Sequence, residues 1–218
     1  MTRTERYTFD AGSPSQLCDR RTQTRMKALA LFASRGFQQV SLRELGNHLG
    51  ISAGSLYNHF ESKETLLFEL VEDLYEDLLE PVRSQSPTKL DQEARVREFI
   101  SRHIALQRGK HDQFQLAELE LRSLSVEHLA QIESLRGQYE LRLLSLLSMP
   151  DTPIYKSAVR GLMSLLNSLL ACKADTLLTD EQHLELATRM TLGVLAAARQ
   201  TSKSMSAPVI AMKVARNV

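Results

Sequence analysis

The stretch GISAGSLYNHF, residues 50–60, sets small side chains ahead of a tyrosine and a histidine two positions apart. A histidine near a serine is a pairing that hydrolases use to activate a nucleophile, so His59 or His103 could serve a helical acyl hydrolase. The sequence carries no nucleophile elbow, metal-ligand spacing or glycine-rich phosphate loop to complete such a catalyst. The favoured alternative is a surface helix whose small residues let it lie close against a large partner.

Local sequence signals predict the elements that would position this helix. An apolar face predicts a first helix over 20–35, and Gly36 suits a left-handed helix end. Ser41 and Glu44 have the spacing of a capping box, which predicts a helix over 42–49 that ends at Gly50. Ser52 then caps a helix over 53–60, and Ser62 precedes a long one over 63–79. Two short helices joined by a tight glycine turn and braced by a third make a helix-turn-helix.

The outward side chains of the helix at 53–60 suit a DNA groove. Small residues let a helix sink into a major groove about 12 Å wide. Tyr57 and His59 can donate hydrogen bonds to phosphates, and Lys63 adds positive charge at the next helix start. Leu56 and Phe60 are predicted to anchor the helix on its scaffold. Arg43, whose planar fork can bond two acceptors, is the best candidate for a guanine contact.

Residues 32–67, FASRGFQQVSLRELGNHLGISAGSLYNHFESKETLL, resemble the DNA-binding domain of TetR-family repressors. The resemblance rests on G-F, S-x-x-x-L, L-G-I-S, G-x-L-Y-x-H-F and S-K-E-x-L at the family spacing. It implies three groups of DNA contacts, at the bases, on the phosphate backbone and at the groove edge. The base-facing residues would be Ala53, Gly54, Ser55 and Asn58, the phosphate-binding ones Tyr57, His59 and Lys63, and the edge residues Ser41, Leu42 and Arg43.

Charge and composition bound the class of protein. The net charge is +1, so any basic DNA-binding surface must be local. Arg20, Arg21, Arg25, Lys27, Arg35 and Arg43 are predicted to form a DNA-facing end, with Glu69, Glu72, Asp73, Glu76, Asp77 and Glu80 on a distant acidic surface. Two widely spaced cysteines indicate neither a zinc site nor a disulfide scaffold. The sequence predicts a cytoplasmic protein without a membrane span, metal or cofactor.

The rest of the chain has helical periodicity and predicts an all-α fold of about nine helices. Five further helices are expected near 89–108, 112–122, 125–148, 152–174 and 180–200. The predicted organisation is a three-helix DNA-binding domain at 19–66 and a helical-bundle effector and dimerisation domain at 67–200. A disordered arm at 1–18 and a flexible tail at 201–218 would flank them.

Polar side chains interrupt the apolar stripes of the middle helices, as a ligand cavity or a satisfied internal network would require. These interruptions are His103, Gln107, Glu118 and Tyr139. Residues 118–140, ELELRSLSVEHLAQIESLRGQYE, also resemble the effector domain of a TetR-family subset that responds to acyl-coenzyme A thioesters. The resemblance implies an acyl chain on Phe99, Leu121 and Leu135. The phosphates of coenzyme A would contact Arg95, Arg102, Arg122 or Arg136, a choice that the sequence leaves open.

The helices at 152–174 and 180–200 are apolar on more than one face, which predicts a two-fold dimer through a four-helix interface. A fully buried central helix is the alternative for 152–174. The leading hypothesis is a dimeric repressor released from a palindromic DNA operator by a small hydrophobic effector such as an acyl-coenzyme A or fatty acid. An architectural or activating DNA-binding dimer without an effector is the second hypothesis, and a hydrolase is the third.

Overall fold

The computed structural model describes residues 14–57, 60–83, 91–171 and 178–206. Within these ranges the chain forms nine α-helices and one short 3-10 helix, which confirms the all-α prediction. In chain order the elements are α1 (Pro14–Arg35), α2 (Leu42–Leu49), α3 (Ala53–Leu56), α4 (Lys63–Arg83), α5 (Gln92–Gly109), α6 (His111–Leu119), η1 (Leu121–Ser123), α7 (Val126–Leu146), α8 (Pro153–Ala171) and α9 (Asp180–Ser206).

Several helix ends differ from the sequence-based bounds. The first helix begins at Pro14, so residues 14–18 are helical and do not belong to a disordered arm. Proline suits the first position of a helix because its φ is already helical and its missing N–H has no intrahelical partner to lose. The last helix continues to Ser206, and no proline interrupts it before Pro208. The remainder of the predicted arm and tail, residues 1–13 and 207–218, lies outside the described residues.

The helix predicted over 112–122 is divided in two. The first part, α6, ends at Leu119, and the 3-10 helix η1 follows at Leu121–Ser123. The helix predicted over 53–60 is also shorter, since α3 ends at Leu56 and Tyr57 is its C-terminal cap.

Local capping fixes the helix-turn-helix as the sequence predicts. The Ser41 hydroxyl accepts from the amide of Glu44, whose carboxylate accepts from the amide of Ser41, which completes the capping box. Gly50 ends α2 with a φ of 73°, and Gly36 follows α1 with a φ of 85°. Side chains with a Cβ rarely adopt this left-handed region, so glycine permits both sharp turns.

Two hydrophobic clusters form the interior, and α4 contributes to both. Leu66, Leu67, Leu70 and Val71 pack in the cluster of the helix-turn-helix, whereas Leu74, Leu78 and Leu79 pack in the cluster of the larger bundle. The helix is continuous from Lys63 to Arg83. A displacement of α4 by the bundle would therefore move the helix-turn-helix as well. None of the helices in the described ranges combines the length and apolar character that crossing a bilayer requires.

Candidate DNA interface and effector cavity

Two buried residues hold α3, the predicted DNA-reading helix, on the rest of the helix-turn-helix. Leu56 and Phe60 are 3% and 6% exposed, and the amide of Phe60 donates to the carbonyl oxygen of Leu56 at 2.9 Å. Tyr57 lies between them in sequence and is 59% exposed. Burial of its two neighbours presents the phenol outward, where it can donate to a phosphate oxygen. Asn58 and His59 lie outside the described residues, so their DNA contacts stay predictions.

Small residues leave the N-terminal face of α3 open. Gly54 is exposed, and among the described residues a Cβ added there would approach only the Ser52 hydroxyl oxygen, at 3.9 Å. The Ser55 hydroxyl lies 2.8 Å from that same oxygen, and its amide donates to it at 3.0 Å. A base contact from Ser55 would therefore compete with a hydrogen bond to Ser52. Ala53 occupies the first position of α3.

The groove-edge residues lie at the start of α2. The Ser41 hydroxyl also donates to a Glu44 carboxylate oxygen at 2.8 Å, so it is committed to the capping box. Leu42 is partly buried against the helix-turn-helix cluster. Arg43 is exposed. Its contact with a base edge stays a prediction.

Lys63 takes a structural position that the sequence did not predict. Its ammonium donates to the carbonyl oxygens of Phe37 and Val40, both at 2.6 Å, and lies 4.1 Å from the centre of the Phe37 ring. Burial lowers its pKa, and nearby Glu120 opposes this effect. The side chain therefore braces the α1–α2 loop against α4. A phosphate contact would have to use its third N–H, and that contact stays a prediction.

The predicted separation of basic and acidic surfaces is wrong for two arginines. Arg21 donates to a Glu69 carboxylate oxygen at 3.2 Å, and Arg25 donates to an Asp73 carboxylate oxygen at 2.6 Å. Because α1 packs along α4, these arginines neutralise the acidic stripe of α4 instead of extending a DNA-facing patch.

A cavity of about 170 Å³ opens in the larger bundle. Its apolar wall comes from α4, α6 and α8, and its polar groups come chiefly from α7 and α8. The lining includes Leu74, Tyr75, Leu78, Phe114, Glu118, Leu121, Arg136, Tyr139, Glu140, Arg160, Met163 and Asn167. Small-molecule sites usually span about 300–1,000 Å³, so this cavity suits a short group instead of a whole large ligand.

The predicted ligand residues divide into those that line the cavity and those that do not. Glu118, Leu121 and Tyr139 line it. Phe99, His103, Gln107 and Leu135 belong to the packing around it, and Arg122 is exposed on η1. Phe99 and His103 lie one turn apart on α5, which passes behind the wall formed by Phe114.

Arg136 and Arg160 line the cavity together with two carboxylates, those of Glu118 and Glu140. Glu140 is 3% exposed, and one of its carboxylate oxygens lies 2.7 Å from Arg160 Nε and 3.8 Å from Arg136 Nε. The hydrogen bond to Glu140 raises the pKa of Arg160. Since Arg160 uses Nε for this contact, its two Nη groups are not consumed by it. The guanidinium pair can meet an anionic ligand group.

His103 is a neutral group in the core. It is 3% exposed, and burial lowers its pKa to about 4. Its Nε2 lies 3.3 Å from the Asn167 side-chain oxygen, and Asn167 lines the cavity. Of the polar residues that interrupt the apolar stripes, His103 therefore takes part in an internal hydrogen bond, directly behind the cavity wall.

The pKa of His103 predicts an acid sensitivity of folding. The unfolded chain takes up this proton below about pH 6.5, while the folded chain resists it down to about 4. Stability should therefore fall as the pH drops through this window, by about 2 kcal/mol at pH 5 from this group alone. Urea unfolding at pH 7 and pH 5 measures this change. Between the two pH values the free energy of unfolding should fall by about 2 kcal/mol less in His103→Gln than in the wild type. Equal losses in the two proteins would contradict the assignment.

One segment carries both cavity residues and contacts to the helix-turn-helix region. We call residues 118–128 the coupling segment. Its Glu120 carboxylate accepts from the amide of Phe37 at 3.1 Å, and its Ser123 hydroxyl accepts from the Gln38 side chain at 2.7 Å. The amide of Ser125 donates to the Glu64 carboxylate at 2.7 Å. The cavity residues Glu118 and Leu121 lie in this same segment.

His128 closes the coupling segment against α4. Its Nδ1 is 2.9 Å from both carboxylate oxygens of Glu64, and its ring stacks on Phe68 with centroids 4.1 Å apart and planes at 8°. The carboxylate can only accept, so Nδ1 carries the proton. The contact fixes the start of α7 against the start of α4.

Comparison with known proteins identifies the N-terminal region. Residues 27–70 match the family model described as bacterial regulatory proteins, tetR family. The transcriptional repressor KstR2 of Rhodococcus jostii is 34% identical over 82 residues, which cover 38% of this chain and 40% of KstR2. The fatty acid metabolism regulator protein of Bacillus subtilis is 26% identical over 100 residues, which cover 46% of this chain and 52% of that protein. The chain thus matches about half or less of the length of these relatives.

Comparison with solved structures extends the similarity beyond the N-terminal region. The structure of AibR in complex with isovaleryl coenzyme A and operator DNA superposes with a TM-score of 0.66. The match covers 78% of this chain and 97% of AibR at 21% identity, so it establishes a common fold.

Proposed function

Because the chain belongs to the tetR family of bacterial regulatory proteins, we propose that it is a cytoplasmic repressor released from a palindromic operator by a small hydrophobic effector. The observation that carries the proposal is the coupling segment, which joins cavity residues to the helix-turn-helix through Glu120, Ser123, Ser125 and His128. An effector that favours a shifted position of this segment changes the spacing of the DNA-binding helices and lowers DNA affinity.

The proposed effector is a short acyl thioester of coenzyme A. Leu74, Leu78 and Met163 offer an apolar lining for the acyl group. Arg136 and Arg160 pair with Glu140 and still offer guanidinium N–H donors for phosphates that remain outside the cavity. The descriptions of a fatty acid metabolism regulator among the relatives and of AibR with isovaleryl coenzyme A support this class.

The proposed repressor is a dimer through α8 and α9. Leu165 on α8 and Leu186 on α9 are 43% and 39% exposed, and Cβ atoms added at Gly161 and Gly193 would have no described residue within 4 Å. Small and apolar residues on exposed helix faces permit close approach of a second copy. We expect Leu165→Glu to shift sedimentation from dimer to monomer and to abolish operator binding. The same change at exposed Ser101 on α5 is the control, and a Leu165→Glu variant that stays dimeric would refute this interface.

The open face of α3 predicts a separation between stability and DNA binding. Gly54→Ala should raise stability by up to about 1 kcal/mol, because alanine favours a helix and its Cβ would meet none of the described residues closer than 3.9 Å. The added methyl group faces the groove, so operator affinity should fall several-fold. Gly50→Ala is the matched control: its φ of 73° makes alanine cost about 1–2 kcal/mol. Thermal unfolding and fluorescence anisotropy with operator DNA measure both effects, and undiminished affinity in Gly54→Ala would contradict the docking.

The decisive experiment joins DNA and effector. In a gel shift, the protein should form a complex with the DNA upstream of its own gene at moderate salt. Addition of butanoyl-coenzyme A should then dissociate this complex. Two recognition helices one DNA turn apart, about 34–36 Å, predict a palindromic footprint. Absence of sequence-specific binding to any genomic fragment would refute the repressor. Specific binding that no acyl-coenzyme A weakens would favour the architectural or activating dimer.

A further inference from the structure

Asn167 is a polar residue in the cavity wall that two core residues of α5 hold in place. Its side-chain oxygen lies 3.3 Å from His103 Nε2. Its main-chain oxygen accepts from the Gln107 side chain at 3.2 Å. His103 and Gln107 are 3% and 5% exposed, so two buried polar residues of α5 hydrogen-bond to one residue of α8.

The tautomer of His103 fixes the orientation of the Asn167 carboxamide. His103 packs against the rings of Phe99 and Phe114, and its Nδ1 has no hydrogen-bond partner in the part of the chain that the structure describes. A neutral imidazole carries one N–H, and a buried N–H without an acceptor is rarer than an unpaired acceptor. The proton therefore lies on Nε2 and is donated to Asn167 Oδ1. Asn167 Nδ2 then keeps two hydrogens that it can donate, and Asn167 is part of the cavity lining.

We propose that Asn167 is a specificity-determining residue that donates a hydrogen bond from Nδ2 to a carbonyl oxygen of the effector. His103 is its positioning residue, since its Nε2–H prevents the carboxamide from turning its oxygen to the ligand. Leu74, Leu78 and Met163 supply apolar surface in the same cavity, so a fixed donor there selects an acyl carbonyl over a plain alkyl chain. The inference rests on the proposed function for its effector class and adds the atom that the protein recognises.

Matched coenzyme A derivatives test the donor. Butanoyl-coenzyme A carries the thioester carbonyl, whereas S-butyl-coenzyme A has the same chain and coenzyme without that oxygen. Calorimetric titration of the full-length protein should give a dissociation constant about tenfold or more lower for the thioester. Asn167→Leu should bind both compounds with nearly equal affinity, because the donor is lost while the apolar volume is kept.

Changes at His103 separate positioning from packing. His103→Gln retains an N–H near the position of Nε2 and should keep most of the preference for the thioester. His103→Leu removes that N–H and should reduce the preference as Asn167→Leu does. Circular dichroism and thermal unfolding at pH 7 identify variants that do not fold. If only one of Asn167→Leu and His103→Leu folds, that variant alone is sufficient to test the proposal.

The outcomes distinguish this inference from the proposed function. Equal binding of the two compounds by the wild type overturns the carbonyl contact and leaves a coenzyme A effector standing. A full preference retained in folded Asn167→Leu overturns it in the same way. Binding of neither compound by the wild type overturns both the effector class and the carbonyl contact.

Discussion

Replacing Arg43 with alanine is expected to weaken operator binding by about 1–3 kcal/mol in each subunit, or about 2–6 kcal/mol in the dimer. The guanidinium is exposed at the start of α2, beside a Ser41 side chain that the capping box occupies. Its planar fork can bond two acceptors on a guanine edge, which neither Leu42 nor Gly54 can do. Fluorescence anisotropy with operator DNA at several salt concentrations measures the loss.

Two variants separate base reading from charge. Arg43→Lys keeps the charge and loses the fork, so it should retain the salt dependence of binding while it relaxes preference for one base pair. Arg142→Ala removes an exposed arginine from α7 and should leave operator affinity nearly unchanged. An equal loss on operator and random DNA for Arg43→Ala would assign Arg43 to a phosphate instead of a base.

The helix-turn-helix could be predicted from the sequence because its determinants are local. The capping box joins residues three positions apart, and Gly50 is required by the backbone angle of its own turn. Leu56 and Phe60 are buried as the helical period predicts. Each of these features depends on a few neighbouring residues, so the pattern specifies them without knowledge of the rest of the fold.

The cavity could be predicted only in part because its walls come from helices far apart in sequence. Glu118 and Tyr139 interrupt apolar stripes and do line it, and so does Leu121, which was expected to contact the acyl chain. His103 interrupts a stripe in the same way but lies behind the wall, a difference set by the packing of α5 against α8. Arg160 and Asn167 went unassigned because α8 reads as an apolar helix for dimerisation. The break that Asn167 makes in that apolar run was the available signal.

Lys63 shows a further limit of pattern reading. A lysine at the start of a helix next to a DNA-binding motif suggests a phosphate contact. The ammonium also donates to the carbonyl oxygens of Phe37 and Val40, a structural contact that the pattern does not indicate. Residue type indicates charge, and tertiary structure decides which acceptors that charge meets.

The contact between Glu64 and His128 is expected to transmit the effector signal to DNA. Glu64 lies in the first turn of α4, directly after the helix-turn-helix, and accepts hydrogen bonds from the Ser125 amide and His128 Nδ1. Movement of the coupling segment therefore pulls on α4 at the end nearest the DNA. Without this carboxylate the segment can move while α4 stays in place.

Glu64→Ala should therefore uncouple the two sites. In the wild type, butanoyl-coenzyme A should lower operator affinity about 5–150-fold, the range of a typical coupling free energy of 1–3 kcal/mol. In Glu64→Ala this factor should approach one, with effector binding to the free protein little changed and stability lower by about 1–3 kcal/mol. Operator titrations with and without effector measure the factor.

Glu98, a carboxylate that also pairs with a basic side chain, provides the control for Glu64→Ala. Glu98 bonds Arg102 within α5 and touches neither the helix-turn-helix nor the coupling segment through that bond. Glu98→Gln should thus retain the wild-type factor. Linkage adds an independent check, because operator DNA must weaken effector binding by the same factor in each protein. A wild-type factor in folded Glu64→Ala would place the transmission elsewhere, with the Glu120 contact to the Phe37 amide as the next connection to break.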